Sequence, residues 1–235
     1  MTRLIVVAGN ATWDGERWKG GRRGRERGYE SQVSEGIRLA EEGDILVFSG
    51  GRSRPELNLG RSEAEGMIGW AGGIEAIGEE FARDSFENLL HSLLLFHKRT
   101  GRWPDTVTMV TFGFKGQRFN AIAAGMDLPH LRFHSAGDEF LSVADRERAA
   151  IDEAAAIGEM VRDGSLWDPL QRGERFKRRR RRRTPYVNRR DDSYLWKVEK
   201  EYGFGSLLCL LEATTPGPTG WRSFRWPWSN DTALK

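Results

Sequence analysis

The chain has 235 residues, 38% of them hydrophobic, enough for one sizeable domain with an appendage or for two small ones. No apolar run reaches the ~18 residues of a membrane span, and a single cysteine, Cys209, excludes an internal disulfide framework and a cysteine-built zinc site. The net charge of +3 hides an asymmetry: residues 1–168 carry 21 Lys and Arg against 27 Asp and Glu, a net of −6, whereas residues 169–235 carry 16 against 7, a net of +9. The basic pI therefore describes the tail, and does not make the first 168 residues a nucleic-acid binder.

Leu4–Ala8 opens the chain as a continuous apolar run, the pattern of a strand covered on both faces. No signal-peptide layout precedes it, so the expected location is cytoplasmic. A Gly- and Arg-rich loop, Gly15–Gly28, leads to a helix expected over Tyr29–Glu42. Asp44–Ser49 reads as the second strand and ends at Gly50-Gly51. Ser62-Glu-Ala-Glu65 has the spacing of a capping box and predicts a helix to Gly72. Ile74–Ile77 reads as a short strand.

Asp84-Ser-Phe-Glu87 starts a strongly amphipathic helix that continues to Thr100. Thr106–Thr111 is the next strand, followed by Gly113 and a helix over Lys115–Met126. Leu131–His134 reads as the last strand, and Val143–Arg162 as an alanine-rich helix. This alternation predicts an α/β fold: a Rossmann-like, mostly parallel sheet with helices on both faces, followed by an irregular basic tail. The domain boundary is expected near Trp167–Pro169, giving residues 1–168 and a tail of 169–235, partly disordered.

In such sheets ligands sit beyond the carboxyl ends of the strands, which gives weight to the residues found there. Gly50 and Gly51 would let backbone N–H groups approach an anion, with Ser62 and Glu63 opening the next helix beside them. Equally, two glycines can simply permit a tight turn, and Ser62 can simply cap its helix. Glu80, Ser85, Glu87 and Asn88 concentrate acids, a hydroxyl and an amide within ten positions. They suit a general acid or base, Glu80 and Glu87 being the catalytic candidates, or they only cap a helix. Lys115 and Arg118 share a helix face and could grip an anion, or be solvated surface cations. Asn10 follows the first strand and could orient a ligand. His91, His97, His130 and His134 lack metal-ligand spacing, and no metal site is expected. Neither a Gly-x-Gly-x-x-Gly fingerprint nor a Walker loop nor a Gly-x-Ser-x-Gly elbow occurs.

Taken in order, these clusters resemble the YdcF, SanA and ElyC proteins (domain of unknown function 218), in particular their fungal cytoplasmic branch. The likeness covers roughly residues 4–169 and rests on Ile45–Gly51, Ser62-Glu63-Ala64, Glu80 with Ser85–Asn88, and Thr111–Arg118. It implies a Rossmann-like fold and, for YdcF-like members, binding of S-adenosylmethionine without an established methyl transfer. Asn10 stands where that branch would have a histidine, and Lys115 replaces the histidine of bacterial members.

The function expected from the sequence is therefore binding of an anionic or nucleotide-like small molecule, S-adenosylmethionine among the candidates. Phosphoester hydrolysis or transfer with Glu80 as base or metal ligand is the alternative enzyme reading. A third reading is an interaction protein working through Lys177–Arg183, seven consecutive cations that would serve nuclear import or nucleic-acid contact.

Overall fold

The computed structural model of the chain describes residues 2–57, 59–162 and Trp226. In chain order the elements are β1 (Arg3–Ala8), β2 (Thr12–Trp13), β3 (Trp18–Lys19), α1 (Glu26–Leu39), β4 (Ile45–Ser49), α2 (Glu63–Ala71), β5 (Ile77–Glu79), α3 (Ser85–Thr100), β6 (Thr106–Thr111), α4 (Gly116–Gly125), β7 (Leu131–Ser135) and α5 (Val143–Arg162). Short 3-10 turns occupy Pro55–Leu57, Gly113–Lys115 and Asp138–Phe140.

Five strands form one parallel sheet in the order β5-β4-β1-β6-β7. This is the α/β Rossmann-like architecture expected from the alternation of apolar runs and helices. Each strand face has its own core. Leu4, Val6 and Ala8 of β1 pack with α3 and α4, through Phe86, Leu89, Leu93 and Phe119. Ile5 and Val7 turn to the other face and meet Tyr29, Val33, Ala64 and Met67 of α1 and α2. Burying a side chain of this size is worth about 1.5–3 kcal/mol, so the continuous apolar runs follow from coverage on both faces.

Two local departures have clear causes. Gly72 (φ 64) caps α2 and Gly73 (φ 85) extends the left-handed turn, so the chain reaches the sheet edge at Ile77 rather than Ile74. A hairpin of two-residue strands, β2 and β3, spans the start of the Gly- and Arg-rich loop, and its Trp13 and Trp18 rings lie 5.7 Å apart. Gly66 lets α2 lie against that hairpin, since a Cβ there would stand 2.5 Å from the Trp13 nitrogen.

The expected boundary near Trp167–Pro169 and the run Lys177–Arg183 lie outside the described residues. Trp226 is buried in the α3–α4 core, and its indole N–H donates to the Gly125 carbonyl at 3.0 Å. No helix among the described residues is long and apolar enough to cross a membrane.

Candidate functional site

The chain leaves β1 through α1 to β4 on one side, and later returns through α3 to β6 on the other. The strand order therefore reverses between β1 and β6, and the loops that follow these two strands diverge to open a crevice. A cleft of about 190 Å³ lies there. Asn10 enters it from the end of β1, and Phe112, Phe114 and Lys115 enter from the end of β6. Gly21, Arg22, Arg25 and Tyr29 come from the loop before α1 and from α1 itself. Arg54 and, from α5, Ala149, Asp152 and Glu153 complete the walls.

The cleft floor is a polar chain. The Asn10 amide donates to the Ala8 carbonyl at 2.9 Å and to Gln32 Oε1 at 2.9 Å, and Gln32 donates to the Ala136 carbonyl at 3.2 Å. With its NH₂ group so committed, Asn10 turns its oxygen outward, where it accepts from Lys115 Nζ. Burial is the main reason the Lys115 ammonium is brought down to about 8, and the neighbouring Arg118 adds to it against the opposing charges of Glu153 and Glu63.

One wall is aromatic: Phe112 and Phe114 stack at 5.2 Å, and the Arg25 guanidinium lies 5.8 and 5.3 Å from their ring centroids. Arg25 is itself buried, and its Nε has no hydrogen-bond partner among the described residues. Tyr29 holds the loop in place by accepting from the Arg22 N–H at 2.9 Å and donating to the Arg22 carbonyl at 3.2 Å. Burial pushes its phenol up to about 12, so it stays neutral.

Of the residues expected to form the site, Asn10 and Lys115 line this cleft. Arg118 lies behind Lys115 and pairs with Glu153 at 2.9 Å, joining α4 to α5 rather than standing open as an anion clamp. The others gather at the ends of β4 and β5. The N–H groups of Gly50 and Gly51 are already used by the Glu79 and Ala82 carbonyls, at 2.9 and 2.7 Å, so they form no backbone cradle. What Gly50 provides is room: a Cβ there would stand 2.7 Å from Glu63 Oε2, and the Glu63 side chain passes over Gly9 and Gly50 to accept from Ser53. Ser62 caps α2 in a complete capping box with Glu65. Glu80 is half-buried, and burial together with Glu65 raises its pKa, with the Ser62 hydroxyl and Arg52 acting the other way.

Glu87 and Asn88 are structural in this arrangement. Glu87 accepts from the backbone N–H of Arg83 and from its guanidinium Nε, both at 2.8 Å, in an ion pair buried on both sides. Asn88 donates to the Ser49 carbonyl at 3.0 Å and to the Ser49 hydroxyl at 2.9 Å, pinning the start of α3 to the end of β4. Ser49 in turn donates to Glu79 at 2.6 Å, and Glu79 also accepts from the N–H groups of Phe81 and Ala82 and meets His91 at 3.3 Å. Ser85 is buried at the first position of α3. None of Gly50, Glu80, Asn88 and Arg118 belongs to the walls of the cleft.

Sequence reasoning missed Arg22, Arg25, Tyr29, Asp152 and Glu153. The available signal was the clustering of arginines in a glycine-rich loop directly after the first strand. No group of three or more metal-ligating side chains occurs among the described residues. Comparison with known proteins leaves the geometry to stand by itself: no family model matches the chain, and neither a curated protein nor a solved structure matches it.

Proposed function

We propose that the cleft between the ends of β1 and β6 binds a small anionic metabolite, up to the size of a mononucleotide, and that the chain is a divergent YdcF-like protein. The observation that carries this reading is the convergence of Lys115, Arg22, Arg25 and Arg54 on one crevice at the point where the strand order reverses. Asp152 and Glu153 offset part of that charge, through Arg22 and Arg118. Arg25 retains a buried donor that a phosphate or carboxylate oxygen would satisfy. The stacked Phe112 and Phe114 supply an apolar flank for a flat ring.

The same charges weigh against S-adenosylmethionine, whose sulfonium is a cation. Phosphate-bearing ligands fit the site better. The cleft volume also falls below the roughly 300–1,000 Å³ of pockets that enclose drug-sized ligands, so a mononucleotide would extend past its walls and a dinucleotide much further. Phosphoester hydrolysis through Glu80 has less support, because Glu80 stands at the β4–β5 end of the sheet and not in the cleft.

The test is isothermal titration of the full chain with AMP, ADP, inorganic phosphate and S-adenosylmethionine. Saturable binding of a phosphate compound, weakened by Lys115→Met, is expected. Binding of S-adenosylmethionine alone, or binding indifferent to Lys115→Met, would overturn the proposal.

A further inference from the structure

Lys115 differs in kind from the other cations around the cleft. An arginine can only attract an anion, whereas an amine that gives up its proton also has a lone pair. We infer that Lys115 is a nucleophile, whose Nζ condenses with the carbonyl carbon of a small aldehyde or ketone bearing a phosphate or carboxylate. This deepens the proposed anion site, since it assigns the anionic end of the same ligand to the arginines of that cleft.

Three observations point the same way. First, Lys115 lines the cleft at the strand-order reversal, where a bound ligand would sit. Second, its hydrogen-bond partner is a neutral amide oxygen. Lys115 forms no ion pair among the described residues; Glu153 on α5 gives one oxygen to Arg118, while its other, buried oxygen has no hydrogen-bond partner among them. Third, Asn10 cannot turn its amide around, because its NH₂ group is held by Ala8 and Gln32. The amine is thus held at the cleft wall by one hydrogen bond to a neutral oxygen.

The charged groups that act on Lys115 are Arg118 and Arg25, which disfavour its protonation, and Glu153 and Glu63, which favour it. Burial adds to the first pair. With half-titration near pH 8, about a tenth of the amine is neutral at pH 7, against fewer than about one in a thousand for a lysine in water. Desolvated lysines beside a second cation are activated in this way for Schiff-base formation.

The step balances without an oxidant or reductant. The nitrogen lone pair forms a bond to the carbonyl carbon, and the carbonyl oxygen takes up a proton as the nitrogen loses one, giving a carbinolamine. That hydroxyl then leaves as water, taking the second hydrogen of the nitrogen, and a carbon–nitrogen double bond remains. One water is released for each imine formed.

Pyridoxal 5′-phosphate is a suitable probe because it carries an aldehyde and a phosphate on a flat ring. The full chain is incubated with it at pH 7, reduced with sodium borohydride to convert any imine to a stable secondary amine, and mapped by peptide mass spectrometry. Lys115 is expected to be labelled at least about tenfold faster than Lys19 or Lys98, which lie outside the cleft. The α-amine of Met1 has a naturally low pKa and is distinguished by its own peptide. Even labelling across Lys19, Lys98 and Lys115, or sparing of Lys115, would overturn the inference.

Two further arms separate this failure from failure of the anion-site reading. Lys115→Arg should take no label at this position, and its melting temperature reports whether it folds. If the natural chain binds AMP while Lys115 is labelled no faster than Lys19, the nucleophile is wrong and the anion site stands. If AMP and inorganic phosphate do not bind, yet acetaldehyde with borohydride still modifies Lys115 selectively, the nucleophile stands and the anion site is wrong.

Discussion

The carboxyl edge of the sheet carries two polar regions built from similar residues and put to different uses. At the ends of β4 and β5, Ser49, Glu79, Arg83, Glu87, Asn88 and His91 are buried and meet one another's hydrogen bonds. At the ends of β1 and β6, Lys115, Arg22, Arg25 and Arg54 face a cleft, and one buried donor of Arg25 has no partner among the described residues. Polar groups removed from water must find partners, so a closed network at a strand end is part of the scaffold. A cluster of cations that lines a cleft and leaves a buried donor unmet is a site for something that arrives from outside. The contrast teaches that position after a strand nominates a residue, and that its existing partners decide its role.

The largest expected effect lies in the closed region. Glu87→Ala removes one side of the buried Arg83–Glu87 ion pair, and should lower the unfolding free energy by about 3–5 kcal/mol. Urea titration followed by fluorescence measures this. A loss below about 1 kcal/mol would mean that water reaches Arg83 and that the region is not closed.

Next comes Lys115→Met, which should behave in the opposite way. Removing a charge-assisted contact costs about 1.5–3 kcal/mol of binding, roughly 10- to 150-fold in AMP affinity. The melting temperature should hold or rise, because the substitution removes an amine that burial already disfavours as a cation. If melting temperature and affinity fall together, Lys115 belongs to the scaffold and the comparison collapses.

Asn88→Ala should cost about 1–3 kcal/mol of stability, since it strips the buried Ser49 carbonyl and hydroxyl of a donor. AMP affinity of the folded protein should stay within about twofold, a difference of roughly 0.4 kcal/mol. Calorimetry on the variant checks both at once. A large affinity loss with unchanged stability would move Asn88 from scaffold to site.

Much of this architecture was legible before any coordinates. Parallel strands covered on both faces show as unbroken apolar runs, and the capping box at Ser62 and the N-cap at Asp84 mark helix starts by local hydrogen bonding alone. The hairpin at Trp13 and Trp18 was not, because two-residue strands leave no periodicity and depend on an aromatic contact across a turn. For the site, Asn10 and Lys115 were legible as residues that follow strands. Choosing them over Gly50, Glu80 and Asn88 needs the strand order, which is set by the crossover through α3 and not by any local pattern. The partner of Glu87 stood four positions upstream at Arg83, a spacing readable on sight. The partner of Asn88 is Ser49, 39 residues away, and only the assembled sheet brings them together.

The last expected effect is also the one that separates site from scaffold without a mutation. Lys115 titrates near 8 in the folded chain, against an ordinary value of 10.5. Raising the pH through 8 removes the ammonium that an anion would contact, so AMP affinity should fall by up to about tenfold per pH unit from there. The fall must level off at the affinity of Lys115→Met, where the contact is already absent. AMP itself is fully ionised across this range, so its own charge does not contribute. Stability should move the other way. Between pH 8 and 10.5 the unfolded chain holds a proton on this lysine that the folded chain has lost, and stability rises with pH wherever the unfolded state binds more protons. Lys115 therefore works against folding below pH 8, and that cost is relieved as the pH climbs. Comparing the natural chain with Lys115→Arg isolates both trends, because a guanidinium keeps its charge throughout. Affinity that declines above pH 8 in the natural chain and stays flat in the arginine variant identifies Lys115 as the titrating contact. Parallel declines in both proteins would place the titrating group elsewhere and return Lys115 to the ordinary lysines of the surface.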